Sequence, residues 1–287
     1  MQLLGCTSTR LEIGASARLV FWGFDKVFLA EVREESFGAL HLEQSRLPLS
    51  PPLRDLNGVS GAGSRLALVG RRQDNTAWNI FVVDAASGRA ESEVPYDGRG
   101  IGLAPGGQRV AFLAPAPKPT ARLDLVVRDL ATSSLRVVVP GPVGFPLSLS
   151  WHSSGESIAY DGVDGWIYSV RVADGQTTRL VEGTTPAWAP DGRRLTFRRD
   201  QTVYLYELAT GMVTALHTRR ARQSQLGVGF PSWSPDERFV TWNGEIAYDR
   251  ECILIEVATG KAHSIYEGPY RCGPWVESSP SMHRVRS

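Results

Sequence analysis

Pro186-Ala187-Trp188-Ala189-Pro190-Asp191-Gly192-Arg193-Arg194-Leu195-Thr196-Phe197 returns, slightly altered, as Pro231-Ser232-Trp233-Ser234-Pro235-Asp236-Glu237-Arg238-Phe239-Val240-Thr241-Trp242. It returns again as Ser150-Trp151-His152-Ser153-Ser154-Gly155-Glu156-Ser157-Ile158-Ala159-Tyr160. Weaker copies occupy residues 103–112, 59–68 and 13–22, the last two without Pro or Asp. Their anchors, Ile13, Val59, Leu103, Trp151, Trp188 and Trp233, lie 46, 44, 48, 37 and 45 residues apart. A period of that size means stacked supersecondary units, because one such unit cannot bury its apolar face alone. A further anchor, Trp275, is followed by only twelve residues, too few for another unit.

Each copy reads as four short strands. An apolar strand leads into the anchor, and a Pro-Asp-Gly turn reverses the chain, since Pro presets φ while Asp and Gly tolerate the tight positions. A second strand follows, such as Leu195-Thr196-Phe197, and then a third, such as Val203-Tyr204-Leu205-Tyr206. The third strand ends in a second recurring turn, as at Asp84-Ala85-Ala86-Ser87-Gly88, Ala209-Thr210-Gly211 and Ala258-Thr259-Gly260. A fourth strand leaves that turn. Short β-rich runs with no long helical period indicate all-β structure, and four strands in roughly 40–45 residues match a propeller blade.

The W-[SA]-P-D-G and D-x-x-[TS]-G turns together resemble the PD40 repeat of TolB-like six-bladed propellers. The same repeat occurs in the propeller domains of prolyl-oligopeptidase and dipeptidyl-peptidase relatives. The resemblance spans nearly the whole chain, closest in the last three copies and faintest in the first. It departs at His152-Ser153, where the motif has Ser-Pro, and at Glu237, where it has Gly; a weaker turn is expected at both. The motif lies in structural turns, so it implies a fold and carries no activity with it.

The expected architecture is therefore all-β: one six-bladed propeller spanning residues 1–287. Blades are expected near 10–45, 57–95, 101–139, 148–182, 186–217 and 231–267, with 272–287 as the closing segment. Cys272-Gly273-Pro274-Trp275-Val276 should seal the ring, as the innermost strand of the first blade or beside it. An open ring would leave two sheet edges unpaired. The competing count is seven blades, one of them built from both termini. A sandwich gives no reason for one turn phrase to recur in every unit.

Composition narrows the function classes. A hydrophobic content of 42% with eight Trp supports a sizeable core, and the net charge of +1 gives no global bias toward nucleic acid or anionic membranes. The basic pairs Arg71-Arg72, Arg193-Arg194, Arg198-Arg199 and Arg219-Arg220 are interleaved with Asp74, Asp191 and Asp200, as in solvated turns. No apolar run approaches the ~18 residues of a membrane span.

Of the three cysteines, Cys6 lies in Leu3-Leu4-Gly5-Cys6, which resembles a bacterial lipobox although only five residues precede it. A lipidation site and a chance match both stay open. A hairpin turning at Thr259-Gly260 would set Cys252 near Glu267, five residues short of Cys272. A Cys252–Cys272 disulfide and two free thiols are both compatible with that. With the resemblance to a periplasmic family, these signals set the expectation of an extracytoplasmic protein, lipid-anchored if Cys6 is the acceptor. A cytoplasmic location is the alternative.

Catalytic patterns are few. His41, His217 and His263 fall in fourth strands, His152 in a turn and His283 in the tail, so no convergent imidazoles are expected for a metal or a triad. No G-x-S-x-G elbow exists; Gly58-Val59-Ser60-Gly61-Ala62 fails at its last position. Gly98-Arg99-Gly100-Ile101-Gly102 lacks dinucleotide spacing, and Asp161-Gly162-Val163-Asp164-Gly165 reads as a tight hairpin rather than a calcium loop. The peptidase relatives carry their catalytic residues on a separate hydrolase domain, for which no residues remain here. The anchor tryptophans read as wedges packed between blades. We expect no enzyme, no cofactor and no metal; a propeller lyase or hydrolase working in the central channel is the contrary reading.

The function expected is a monomeric scaffold holding a protein or peptide on the face made by second-to-third and fourth-to-first strand loops. There the chain places its irregular stretches, 47–56, 114–121, 140–147 and 218–230, and long loops on a rigid scaffold are where binding usually resides. Trp78, Trp166, Arg199, Arg220, Tyr248 and Tyr270 are the candidate partner-binding residues, being types that dominate interfaces. A small-molecule or carbohydrate sensor using the channel mouth is the alternative.

Overall fold

A computed structural model describes residues 17–34, 40–116, 123–141, 149–218, 231–246 and 249–277. Among these residues the regular elements are all strands, and no helix is long and apolar enough to cross a membrane. The chain opens with β1 (Ala17–Gly23), β2 (Lys26–Glu34) and β3 (Leu40–Arg46). Blade two follows as β4 (Leu53–Ala62), β5 (Arg65–Arg72), β6 (Asn79–Asp84) and β7 (Ala90–Pro95). Blade three is β8 (Arg99–Leu103), β9 (Arg109–Pro115), β10 (Leu123–Asp129) and β11 (Leu135–Val139). Blade four is β12 (Ser150–Trp151), β13 (Ser157–Asp161), β14 (Trp166–Arg171) and β15 (Thr177–Glu182). Blade five is β16 (Thr184–Trp188), β17 (Arg194–Arg199), β18 (Thr202–Glu207) and β19 (Val213–Thr218). Blade six is β20 (Ser232–Trp233), β21 (Phe239–Ile246), β22 (Asp249–Glu256) and β23 (Ala262–Gly268). Finally β24 (Arg271–Glu277) returns to pair antiparallel with β1, giving the first sheet the order β24-β1-β2-β3.

Six four-stranded antiparallel sheets thus form the propeller, and the C-terminal strand closes it as the innermost strand of blade one. Trp275 stands opposite Leu19 and supplies that blade's anchor; the expected anchor Ile13 lies outside the described residues.

The anchor in blade two is also displaced. Ala62 pairs with Arg65 across a turn two residues tighter than elsewhere, so Gly61 rather than Val59 faces Leu66. That is the place where Trp188 faces Leu195 and Trp233 faces Val240. A side chain at 61 has no room: its Cβ would lie 2.9 Å from Pro274 Cγ and 3.1 Å from the Trp275 carbonyl oxygen. The closing strand fills the wedge that a tryptophan fills in other blades.

The two motif departures supply contacts across seams between blades. Arg65 Nη1 donates to the Gly106 carbonyl at 2.7 Å and Arg109 Nη2 to the Gly155 carbonyl at 2.8 Å. Each such arginine opens a second strand and reaches the first turn of the next blade. Blade four has Ser157 at that position, and His152 substitutes for the missing arginine, its Nε2–H donating to the Gly192 carbonyl at 3.0 Å. Arg194 completes the series by pairing with Glu237, the residue that replaces the motif glycine and sits at φ 61°.

The glycine of the second turn has its own cause. At Gly175 and Gly260, with φ of 76° and 70°, a Cβ would lie 2.8 Å from the Val138 carbonyl oxygen and 2.6 Å from that of Leu216. Each turn presses on the outer strand of the preceding blade, and only glycine allows both the left-handed backbone and the approach. Asp84 holds the equivalent turn in blade two, accepting from Ser87 N at 2.8 Å and Ser87 Oγ at 2.7 Å.

The core is divided into separate apolar clusters, each filling the seam between two neighbouring blades. Phe21, Phe81, Phe112, Phe197 and Phe239 are fully buried, each contributing about 2–3 kcal/mol by transfer from water. Cys252, opposite Tyr266 rather than Glu267, forms a disulfide with Cys272. The link joins blade six to the closing strand.

Candidate functional site

The innermost strands of all six blades surround one cavity of about 860 Å³ on the propeller axis. Strand direction alternates within a blade, so second-to-third turns and fourth-to-first loops share one face. At that loop face the lining includes Asn57, Trp78, Asp97, Arg99 and Arg271; farther in it includes Ser60, Ser150, Ser232, Trp151, Trp188, Trp233 and Trp275.

Main chain can line the axis because small residues stand there. Ser60, Gly102, Ser150, Ala187 and Ser232 occupy equivalent register positions, opposite Ala67, Ala111, Ala159, Thr196 and Thr241. Ser60 Oγ accepts from Leu103 N at 2.9 Å and Ser150 Oγ from Trp188 N at 2.8 Å, tying each strand to its neighbour. Trp151 Nε1 donates to the Gly102 carbonyl at 3.0 Å and Trp233 Nε1 to the Ala187 carbonyl at 3.1 Å. The anchor indoles are 5–7% exposed. They are core, as their repeat position implied, and they are also cavity wall.

A buried carboxylate lies just behind that wall. Asp161 ends β13 with 7% exposure, and its Oδ1 accepts from Thr185 N at 2.9 Å. Thr185 is buried at φ 53°, a left-handed conformation costly for a β-branched residue. Its neighbour Pro186 lines the cavity. Burial pushes the Asp161 carboxyl up to about 7, opposed by the Thr185 N–H and the Arg198 charge. Burial likewise lowers Arg198, while Asp161 and Asp200 counter it.

Of the candidate binding residues, Trp78, Trp166, Arg199 and Tyr270 are among those described. Trp78 lines the cavity with Arg71 4.3 Å over its ring. Trp166 lies under Arg179 at 3.4 Å and pairs with Glu182, whose carbonyl accepts from Arg199 Nη2 at 2.9 Å. These two therefore meet at the junction of blades four and five. Tyr270 packs on Phe28, 5.0 Å between centroids, at the start of the closing strand. Arg220, Tyr248 and Cys6 lie outside the described residues. Of the irregular stretches, 47–56 is fully described, and it docks: Leu47, Leu53 and Leu56 are 3%, 3% and 8% exposed.

Sequence reasoning missed Asn57, Asp97 and Arg271, which no motif marks, and met Arg99 only inside the glycine pattern that lacks dinucleotide spacing. It also missed Phe24 and Val163, exposed by 68% and 65% at second-to-third turns. The one available signal was an apolar residue inside a Gly/Asp-rich turn, as in Gly23-Phe24-Asp25 and Gly162-Val163-Asp164. Among the described residues no three His, Cys, Asp or Glu side chains converge as a metal site.

No family model matches the chain. Among solved structures, TolB from Acinetobacter baumannii superposes with a TM-score of 0.63 at 14% identity, covering 92% of this chain and 67% of that one. A putative TolB from Agrobacterium tumefaciens gives 0.56 at 15%, covering 88% and 90%. An oligogalacturonate lyase in complex with manganese gives 0.52 at 13%, covering 81% and 74%. At these identities the likeness is one of fold: this chain has a TolB-like six-bladed propeller.

Proposed function

We propose that the chain is a non-catalytic scaffold that receives a peptide or protein segment at the loop-face mouth of the axial cavity. The observation that carries this reading is the make-up of the cavity wall. Indoles, proline rings, glycine edges and small hydroxyls suit an extended main chain with apolar side chains. Its charged lining residues are Asp97, Arg99 and Arg271. The histidines support the non-catalytic part: His217 and His263 sit in outer strands, and His152 is committed to the Gly192 carbonyl. The Cys252–Cys272 bond supports placement in an oxidising compartment such as the cell envelope. A small-molecule or carbohydrate sensor is the second reading, because about 860 Å³ is also the size of a small-ligand pocket.

Selection of a displayed peptide library on the oxidised chain tests the proposal. Enriched peptides should bind the parent and lose at least about tenfold on Asn57→Trp, which fills the mouth from an exposed position, with the melting temperature unchanged. Peptides that bind Asn57→Trp as tightly as the parent would place the site elsewhere. Saccharide binding with no enriched peptide would replace this reading by the second one.

A further inference from the structure

The chain delivers β24 out of blade six and into blade one, where hydrogen bonds to β1 close the ring. Between β23 and β24 only Pro269 and Tyr270 intervene. Such a strand has two edges to satisfy, one facing β1 and one facing the axial cavity beside blade six, and the second has no sheet partner. Two devices meet there. The Asn243 side chain behaves as a short piece of strand: its Oδ1 accepts from Cys272 N at 2.6 Å and its Nδ2 donates to the Cys272 carbonyl. Cys252, the direct cross-strand neighbour of Asn243, is bonded through sulfur to the same residue, with Cα atoms 5.8 Å apart.

All three groups are buried: Asn243 is 6% exposed, Cys252 1% and Cys272 3%. A buried amide whose acceptor and donor are matched to the N–H and C=O of one residue specifies a single position for that residue. Residues 271–275, all of which line the axial cavity, are carried on it.

We propose that Cys252, Cys272 and Asn243 form a redox-dependent clasp that holds the closing strand on blade six and presents it to β1, so that the cavity is complete only in the oxidised chain. Reduction by a dithiol transfers two electrons and two protons to the sulfur–sulfur bond, leaves two thiols, and converts the reductant to its cyclic disulfide. The polar link from the strand to blade six is then the two-residue connection and the Asn243 amide, beside the apolar packing of Cys272 and Trp275 on Phe239 and Leu254. Because the sulfurs are buried, a reductant reaches them only when the seam opens, and the rate of reduction reports that opening. The inference rests on the seam, not on what the cavity receives.

Hydrogen exchange on the full chain decides it. The oxidised parent is compared with the Cys252→Ser/Cys272→Ser double variant. Amides of β24 and β1 should exchange at least about tenfold faster in the variant, while blades two to five keep their parent rates. Unchanged exchange in β24, or an equal rise in every blade, would overturn the clasp. Should the double variant not fold, the same comparison is made on parent protein reduced with a dithiol after folding. Asn243→Ala with the disulfide intact supplies a second readout. Thiol labelling of Cys252 and Cys272 under dithiol, mapped by peptide mass, should proceed several-fold faster than in the parent; an equal rate would remove Asn243 from the device.

Discussion

At pH 8 the Asp161 carboxylate is ionised inside the protein, and Asp161→Asn should relieve the native state of that charge while keeping an oxygen for the Thr185 N–H. The folded carboxyl sits at about 7 against an ordinary value of 3.8. Each pH unit of displacement corresponds to about 1.4 kcal/mol, so the full cost above pH 7 is about 4 kcal/mol. Relaxation around the carboxylate, and the Arg198 charge that the variant leaves behind, reduce the net gain to about 2–4 kcal/mol. The sign follows from linkage. The folded state binds this proton more tightly than the unfolded chain, so stability declines as pH climbs from about 4 to about 7 and is lowest above that window. Urea unfolding of the oxidised parent and variant at pH 5, 6, 7 and 8 measures it. The variant should be the more stable at pH 8, and the difference should shrink toward pH 5. A difference that does not change with pH, or a variant less stable than the parent at pH 8, would refute the assignment of a neutralising burial to Asp161.

Two paired substitutions probe the seams between blades. Gly260→Ala should cost about 2–4 kcal/mol, since it adds contact with the Leu216 carbonyl to a left-handed backbone. Gly211→Ala, at φ 71° with nothing within 4 Å of the new Cβ, should cost only about 1 kcal/mol; equal losses by chemical unfolding would show that the neighbouring blade is not the cause. Arg194→Ala removes the pairs with Asp191 and Glu237 and the guanidinium 5.2 Å from the Trp233 ring, and should cost about 1–3 kcal/mol. The exposed neighbour Arg193→Ala should stay within about 0.5 kcal/mol of the parent, and thermal unfolding of the pair separates the two.

Blade number and the four-strand unit were legible because each depends on turn chemistry and apolar runs confined to a dozen neighbouring residues, and closure by residues 272–276 because an open ring leaves two sheet edges unpaired. Registers were less so. Val59 and Gly61 differ only in which of them opposes Leu66, and that depends on a turn two residues shorter and on a closing strand more than two hundred residues away. His152 and Glu237 look like defects in a motif when each is read within its own blade. They become intelligible only beside Gly192 and Arg194 of the adjoining blades.

The sequence by itself determined the repeating unit, since Pro, Asp and Gly impose their turns locally and each anchor lies within its own strand. Tertiary structure alone decided the site. The cavity wall takes a strand from every blade, so no contiguous stretch spells it out. Asp161 owes its raised pKa to burial, with opposing effects from Thr185 and Arg198, residues 24 and 37 positions away. Cys272 finds Cys252 and Asn243 because the ring must close there. Each of these depends on distances set by packing blades around an axis, a quantity that neighbouring residues along the chain do not encode.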